Sequence, residues 1–229
     1  LAQWPSALKG AHRLIFPQDR FTITLFQDEA EQALGQIEAR VDAWFLDGFA
    51  PDRNEAMWSQ PVLDRIGELS RPGTRVATFT VAGAVRRGLQ QAGFSVEKRP
   101  GFGRKRQRLE AVHAGGMAVP VSSPVERTQP RAGRVAIIGA GIAGASLALA
   151  LRRRGRDVVV VDAICVAGGA SGAPVGLLTP RLERTDRPHV RATLAAFDFA
   201  RRTYEGLDGF YPEGVLRLPR DAADRERLA

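Results

Sequence analysis

Cysteine is nearly absent from this chain, because Cys165 is the only one in 229 residues. An intramolecular disulfide is therefore excluded, and this cysteine usage fits a cytoplasmic protein. Long apolar runs are absent as well: none is long enough to span a bilayer, and we see no signal peptide. We expect neither a membrane partner nor a bound metal.

Acidic side chains are outnumbered by basic ones. The chain has 33 lysines and arginines against 25 aspartates and glutamates, a formal net charge of +8, and its sequence pI is about 10.8. This excess indicates an anionic partner, with nucleic acid as the leading candidate. An arginine-rich coding bias on solvated faces would give the same charge, so composition alone leaves the partner open.

The most informative stretch joins a strand pattern to a helix pattern through a glycine turn. The apolar residues 135–138, which follow Arg134, predict a buried strand, and residues 145–154 predict the helix that follows it. Residues 157–162 predict a second buried strand. This strand–helix–strand order is typical of a dinucleotide-binding unit.

The turn itself reads Gly-x-Gly-x-x-Gly, and each glycine has a physical purpose. Gly139 permits the tight turn, Gly141 lets the backbone approach a pyrophosphate, and Gly144 lets the helix pack closely on the sheet. Asp162, at the end of the second strand, can accept hydrogen bonds from a ribose hydroxyl. A merely structural glycine turn is the alternative, but the register of all the parts favours dinucleotide binding.

A loop of small residues at 168–180 follows the second strand and is predicted to continue the phosphate site. Ser171 can donate to a phosphate oxygen, and Gly172 and Gly176 allow close approach. Such a loop is more typical of flavin-binding than of nicotinamide-binding proteins. Cys165 has no second cysteine to pair with, so we interpret it as incidental.

The first half of the chain also alternates strand and helix patterns, as in an α/β sheet. Residues 21–26 predict a strand, and residues 29–40 predict a helix. Asp28 lies between them. It either contacts a ligand at the carboxyl edge of the sheet or caps the helix, and the sequence leaves both open.

A second informative stretch is the strand pattern at 43–46, which ends at Asp47. Phe49 and Pro51 follow as a rigid apolar lip, and Asn54 is predicted to cap the next helix. An acid at a strand end beside an aromatic lip suits a site that holds a neutral amine near an electrophile. The alternative is a structural aspartate in a turn, with Phe49 in the core.

Residues 94–98 and 109–112 predict an antiparallel pair of strands. Their connection, 99–108, is glycine-rich and strongly basic and contains one aromatic residue, Phe102. Such a loop can clamp phosphates and stack a base, or it is a solvated hairpin tip. The stretch 113–133 is rich in proline, glycine and serine without periodicity, which predicts an interdomain linker.

Further elements follow from the same patterns. Residues 74–80 predict a strand, and residues 82–92 predict a helix that Gly93 ends. An amphipathic helix is predicted at 190–207. Its apolar stripe, for which we expect core packing, consists of Ala196, Phe197, Ala200, Tyr204 and Leu207.

Several of these blocks together resemble one family. Asp42–Pro51, followed by Asn54 and Met57-Trp58, resembles the hallmark of a methyltransferase family, and so does Gly101–Arg106. A linker and a flavin-type unit follow in the same chain. The combination resembles the bifunctional bacterial family of 5-methylaminomethyl-2-thiouridine biosynthesis in tRNA, over nearly the whole length.

The resemblance implies an α/β chain in three parts. Residues 1–112 would be the C-terminal part of a Rossmann-like methyltransferase sheet, and residues 113–133 the linker. Residues 134–229 would be the N-terminal part of a Rossmann-type, FAD-binding βαβ domain, truncated before its end. We therefore expect an internal fragment of a longer protein, which by itself is at best weakly active.

The resemblance also implies two reactions on the wobble uridine of the tRNA anticodon. An FAD-dependent oxidoreductase would remove the carboxymethyl group from 5-carboxymethylaminomethyl-2-thiouridine. A methyltransferase would then methylate the resulting amine with S-adenosyl-L-methionine.

Site residues follow from the motifs that match. Asp47 would be the catalytic residue of the methyltransferase, orienting the amine and accepting its proton. Residues predicted to bind cofactors are Asp28, Gly139, Gly141, Gly144, Asp162, Ser171 and Gly172. Residues predicted to bind the tRNA substrate are Phe49, Pro51, Arg104, Lys105 and Arg106.

Other functions remain open at this point. An oxidase of small amines, of the glycine or D-amino-acid oxidase type, would carry the same flavin fingerprint. A fragment that binds tRNA or a nucleotide without catalysis is a second alternative. A nicotinamide-dependent reductase is a weaker third.

Overall fold

A computed structural model of the chain describes residues 4–16, 21–103, 105–115, 133–180 and 185–228. The chain divides into two compact units, one of Leu1–Leu25 with Val125–Ala229 and the other of Phe26–Pro124. The strands are β1 (Gly10–Phe16), β2 (Phe21–Gln27), β3 (Val41–Phe45), β4 (Ser70–Thr78), β5 (Phe94–Pro100), β6 (Gln107–His113), β7 (Val135–Ile138) and β8 (Val158–Val161). The α-helices are α1 (Ala30–Gly35), α2 (Gln60–Glu68), α3 (Gly83–Gln91), α4 (Ile142–Arg152), α5 (Pro188–Tyr204) and α6 (Ala222–Leu228).

The unit Phe26–Pro124 is built on one four-stranded sheet with the order β3-β4-β6-β5. β3 and β4 run parallel, while β6 runs antiparallel to both of its neighbours, β4 and β5. β3, β4 and β5 therefore all end at the same edge of the sheet, which we call the carboxyl edge. Open α/β sheets bind their ligands at this edge.

Helices α2 and α3 hold this sheet through one apolar core. Val62, Leu63 and Ile66 on α2 meet Val85 and Leu89 on α3, and all five are buried. Their spacing of three or four residues places them on one face of each helix. Each fully buried aliphatic side chain of this kind contributes about 1.5–3 kcal/mol.

The end of α1 and the start of α2 differ from the predicted bounds. α1 ends at Gly35, so the prediction of a helix to residue 40 was wrong. The short 3₁₀ helix Ala56–Trp58 precedes α2, and Asn54 Oδ1 accepts the Met57 N–H at 3.3 Å, so Asn54 caps this turn and not α2. The helix predicted before Gly93 is confirmed, because Gly93 has a φ of +89° just after α3.

In the other unit, β7 and β8 pair in parallel, and α4 lies between them in the chain. The predicted strand–helix–strand unit is therefore present. Its strands are less buried than predicted: Ile137 is buried, but Ile138 is 92% exposed. Among the described residues, α4 covers one face of this two-stranded sheet, and the opposite apolar face stays open to solvent.

The same unit contains a contact that the sequence did not predict. Strand β1 lies against α5, and its Gly10, His12 and Leu14 alternate inward. The buried positions of α5 are Val190 and Asp198. The predicted apolar stripe was wrong at its ends, since Ala196 and Leu207 are exposed and Leu207 lies beyond the helix.

Candidate functional sites

Asp47 lies at the carboxyl edge, two residues beyond the end of β3. Its side chain is exposed, and the lip that follows has a fixed backbone, because the Trp58 indole N–H donates to the Phe49 carbonyl at 2.7 Å. Gly48 packs closely against the residues that follow, since a Cβ there would lie 2.8 Å from the Met57 sulfur and 3.1 Å from the Trp58 ring. The lip therefore holds Asp47 beside a defined apolar wall.

The Phe49 ring projects from this lip and is 73% exposed, so the alternative that placed it in the core was wrong. Pro51 is half-buried at the other end of the lip. The partly buried Trp58 packs against the core cluster beneath it. An exposed ring on a fixed backbone is available to a flat ligand.

The basic loop lies between β5 and β6, so it occupies the carboxyl edge as well. It is shorter than predicted because the strands extend to Pro100 and Gln107. The Gly101 N–H donates to the Arg106 carbonyl at 2.9 Å and closes the loop. Lys105 and Arg106 are exposed, while Arg104 lies outside the described residues.

Asp28 stands at the entrance to α1. Its Oδ1 accepts the N–H of Glu29 at 2.9 Å, and Glu29 itself occupies the N-cap position. The alternative that made Asp28 the cap of the helix was therefore wrong. Its predicted contact with a cofactor stays a prediction.

The glycine turn after β7 adopts the geometry that its motif predicts. Gly139 has a φ of +102°, which favours glycine. A Cβ on Gly144 would lie 1.9 Å from the Gly139 carbonyl oxygen, so only glycine lets α4 start this close to the strand. The helix begins at Ile142, earlier than predicted, and its first N–H groups lie at the turn.

Asp162 and Ser171 both bind this turn. The Ala140 N–H donates to Asp162 Oδ2 at 2.7 Å, and the Ile164 N–H donates to Oδ1 at 2.9 Å. These backbone donors, that of Ala140 first, hold the pKa of Asp162 below its usual value. Ser171 Oγ accepts the Ile142 N–H at 2.9 Å, so the residue already occupies the start of α4.

One glycine of the turn and two glycines of the loop after β8 differ in their surroundings. A Cβ on Gly172 would lie 2.2 Å from the Ala167 carbonyl, so the loop closes on itself there. Gly141 faces Ser171, whose Oγ would be 2.9 Å from a Cβ at that position. Gly176 has nothing within 4 Å. Other protein atoms therefore lie close to Gly141 and Gly172 but not, among the described residues, to Gly176, and the predicted approach of a phosphate to these glycines stays a prediction.

An open cavity of about 340 Å³ lies beside the turn. Its lining residues are Ala140, Ala145, Val160, Asp162, Cys165 and Val166. Small apolar walls with one carboxylate suit a nucleoside, and the start of α4 suits its phosphates. These residues fit the ADP half of FAD. The sequence pattern did not indicate a role for Val166 or Cys165, although they lie only four and three residues after Asp162, the acid that follows β8.

Comparison with known proteins decides the family. Residues 1–114 match the family model of S-adenosyl-L-methionine-dependent methyltransferases, and residues 134–229 match that of FAD dependent oxidoreductases. The whole chain is 66% identical to the tRNA 5-methylaminomethyl-2-thiouridine biosynthesis bifunctional protein MnmC of Maricaulis maris (strain MCS10). The chain belongs to the MnmC family.

A second MnmC protein, from Caulobacter sp. (strain K31), is 44% identical over 233 residues. All of this chain is covered in both comparisons, but it spans only 38% and 37% of the two relatives. The crystal structure of MnmC2 from Aquifex aeolicus matches with a TM-score of 0.36 and 26% identity, over 39% of this chain and 31% of that one.

These findings confirm the predicted α/β class, with a methyltransferase part followed by an FAD-binding part, and the two cofactors, S-adenosyl-L-methionine and FAD. The domain limits at 112 and 134 and the individual site residues stay predictions. None of the helices in the described part of the chain is long and apolar enough to cross a membrane.

Proposed function

We propose that this chain supplies parts of both catalytic domains of a tRNA-modifying enzyme. The FAD-dependent part acts in removing the carboxymethyl group of 5-carboxymethylaminomethyl-2-thiouridine at the wobble position. The methyltransferase part acts in methylating the amine that results. The observation that carries this proposal is the 66% identity to MnmC across the entire chain, through both parts.

In the flavin part, the chain's own residues bind and orient the cofactor. Gly139, Gly141 and Gly144 bring backbone N–H groups at the start of α4 to the pyrophosphate. Asp162 accepts hydrogen bonds from the ribose hydroxyls through the carboxylate lone pairs that its two backbone donors do not use. Ser171 and Gly172 close the site over the phosphates. When bound, FAD supplies the two-electron oxidation of a carbon–nitrogen bond.

In the methyltransferase part, Asp47 orients the amine and takes its proton, because a protonated amine has no lone pair for the methyl group. Phe49 and Pro51 form the apolar wall against which the base lies. Asp28 contacts S-adenosyl-L-methionine, which supplies the methyl group. The exposed position of Asp47 leaves its carboxylate available to a substrate that arrives from solvent.

The partner in this proposal is tRNA, in the cytoplasm. Arg104, Lys105 and Arg106 hold its phosphates near the anticodon. The net charge of +8 agrees with such a polyanion.

The first test is the visible absorbance spectrum of the purified native protein that contains this chain. We expect the visible bands of a flavin, released as FAD on denaturation, and formation of the methylaminomethyl nucleoside from carboxymethylaminomethyl tRNA. A protein that takes up no added FAD would contradict the flavin half. Peroxide release from free glycine or sarcosine, without action on tRNA, would indicate a small-amine oxidase instead.

A further inference from the structure

We infer that Phe102 stacks on an unpaired base of the RNA, so that the carboxyl edge selects a single-stranded loop over a duplex. This inference rests on the proposed function in one respect, that the polyanion is tRNA. It adds a residue with no assigned role and a structural requirement on the substrate.

Topology brings Phe102 and Asp47 to one edge. Asp47 follows β3, and Phe102 follows β5, which runs in the same direction. Three strand spacings of about 4.8 Å separate β3 from β5 across the sheet. Phe45, the last residue of β3, is level with Glu97, so β5 extends three residues, or about 10 Å, further, and the two strand ends lie about 17 Å apart. A flexible single strand with its target base at Asp47 can reach the loop with a nucleotide a few positions away.

A backbone hydrogen bond ties Phe102 to the loop, while its ring lies in solvent. The Phe102 carbonyl accepts the Lys105 N–H at 3.2 Å, and the ring is 83% exposed. Gly101 has no room for a side chain, since a Cβ there would lie 2.0 Å from the Lys105 carbonyl. Gly103 has a φ of +61°. An exposed ring beside hydrogen-bonded backbone is available for stacking on a base.

Charge at the loop points to the same ligand. Arg99 and Arg108, on the flanking strands, pair with Glu97 and Glu110. Lys105 and Arg106, at the tip, have no carboxylate partner among the described residues. Cations beside an aromatic ring are the combination with which proteins bind single-stranded nucleic acid, the cations on phosphates and the ring on a base.

A duplex cannot use the ring in this way. Its bases are stacked and paired inside the helix, so only phosphates and sugar hydroxyls reach a protein surface. Unpaired loop bases can turn outward onto aromatic side chains. Phe102 should therefore contribute to binding of a loop and contribute nothing to binding of a duplex.

The test compares two RNAs of the same loop sequence on the purified chain, one an anticodon stem-loop and the other annealed to its complement. Affinities are measured by fluorescence anisotropy between about 50 and 200 mM salt. Phe102→Leu should weaken stem-loop binding about tenfold, the usual effect of losing one stacked base, and leave duplex binding unchanged. Phe102→Tyr should restore it.

Two control variants are used. One distinguishes the effect of stacking from the effect of charge, and the other from the effect of removing an unrelated exposed ring. Lys105→Ala should lower the slope of log affinity against log salt by about 0.7, as for one phosphate of a single strand, whereas Phe102→Leu should leave this slope unchanged. Tyr211→Leu removes an aromatic ring that is 78% exposed in the other unit and should have no effect.

The outcomes are distinguishable. Equal stem-loop affinities of wild type and Phe102→Leu would overturn this inference and leave the proposed function standing. Equal effects of Phe102→Leu on loop and duplex would also overturn it, because they indicate a structural role. Absence of RNA binding by the wild-type chain would overturn both.

Discussion

In the flavin part of this chain, one carboxylate and one glycine fix the shape of the glycine turn. Asp162 accepts two backbone N–H groups, one from the glycine turn and one from the loop after β8. Gly144 has a carbonyl oxygen where a Cβ would be. At both positions a change of a few atoms therefore alters the turn that is proposed to bind the pyrophosphate.

Gly144→Ala should remove FAD binding. Its methyl group would meet the Gly139 carbonyl at 1.9 Å, and relieving such overpacking costs about 1–3 kcal/mol and displaces the start of α4. The measurement is bound flavin per protein after purification, with Gly35→Ala in α1 of the other unit as the control, because nothing in the described part of the chain lies within 4 Å of a Cβ at that glycine. Equal flavin content in both variants would contradict the role of Gly144.

Asp162 should make the nucleotide site sensitive to acid. Its pKa is lowered in the folded protein, chiefly by the Ala140 N–H. A lowered pKa means that the stabilisation is complete above the unfolded value of about 3.9 and is lost as pH falls through the folded value. Flavin retention should therefore be constant from neutral pH down to about 5 and fall below about 4.

Asp162→Asn supplies the control for this pH dependence. The amide cannot titrate, so the part of the acid response that belongs to Asp162 should disappear, and flavin binding at neutral pH should be weaker. Flavin retention is read by absorbance after gel filtration at each pH. An identical acid profile in wild type and variant would assign the response to other groups.

At the scale of elements, β1 and α5 are joined through buried polar groups. His12 is 1% exposed and Asp198 is 3% exposed. The His12 Nε2 lies 2.7 Å from the Leu8 carbonyl, and Nδ1 lies 3.7 Å from Asp198 Oδ2. Arg202, from the next turn of α5, donates to the same carboxylate at 3.2 Å. Asp198 is therefore the centre of this contact.

Asp198→Ala should destabilise the unit that contains β1 and α5. The change leaves the Arg202 guanidinium buried without its carboxylate, and breaking a buried pair in this way costs about 3 kcal/mol. Chemical denaturation followed by circular dichroism measures the loss. Glu68→Ala, which removes the partner of Arg65 in a far more exposed pair, should change stability much less. Comparable losses would mean that the Asp198 contact contributes little.

At the scale of the whole molecule, two sites for two cofactors share one chain. The glycine turn that predicts FAD binding lies in one compact unit, and Asp47 with the basic loop lies in the other. The two proposed reactions act one after the other on the same nucleoside. Loss of one site should therefore leave a different intermediate on the tRNA than loss of the other. The product that accumulates therefore reports which site was damaged.

Asp47→Asn in the native protein should stop methylation and spare the oxidation. The amide cannot take the proton of the amine, and loss of a general base lowers the rate about 100-fold or more. Nucleoside analysis of the treated tRNA should show the aminomethyl form in place of the methylaminomethyl form, with flavin content unchanged. Gly144→Ala serves as the opposite control, since it should leave the carboxymethylaminomethyl form. Normal methylation by Asp47→Asn would remove that residue from catalysis.

The sequence by itself determined the features that depend on neighbouring residues. Gly139, Gly93 and the Gly101–Arg106 loop turn the chain where predicted, because glycine's freedom at positive φ and the apolar period of the flanking segments are local properties. The strand–helix–strand unit from Val135 to Val161 follows from the same local rules. The glycine motif and the loop after it predicted a flavin, the family resemblance implied FAD and S-adenosyl-L-methionine, and the family models confirm both cofactors.

Only the tertiary structure decided which distant residues meet. The order β3-β4-β6-β5 places Asp47 and the basic loop at one edge, and Ser171 reaches the first N–H of α4 from 29 residues away. Nothing in the pattern around Asp198 marks it as buried, because its burial depends on β1, far away in the chain. These contacts depend on packing between segments that are distant in the chain. Its free energy cannot be predicted from any short stretch of residues.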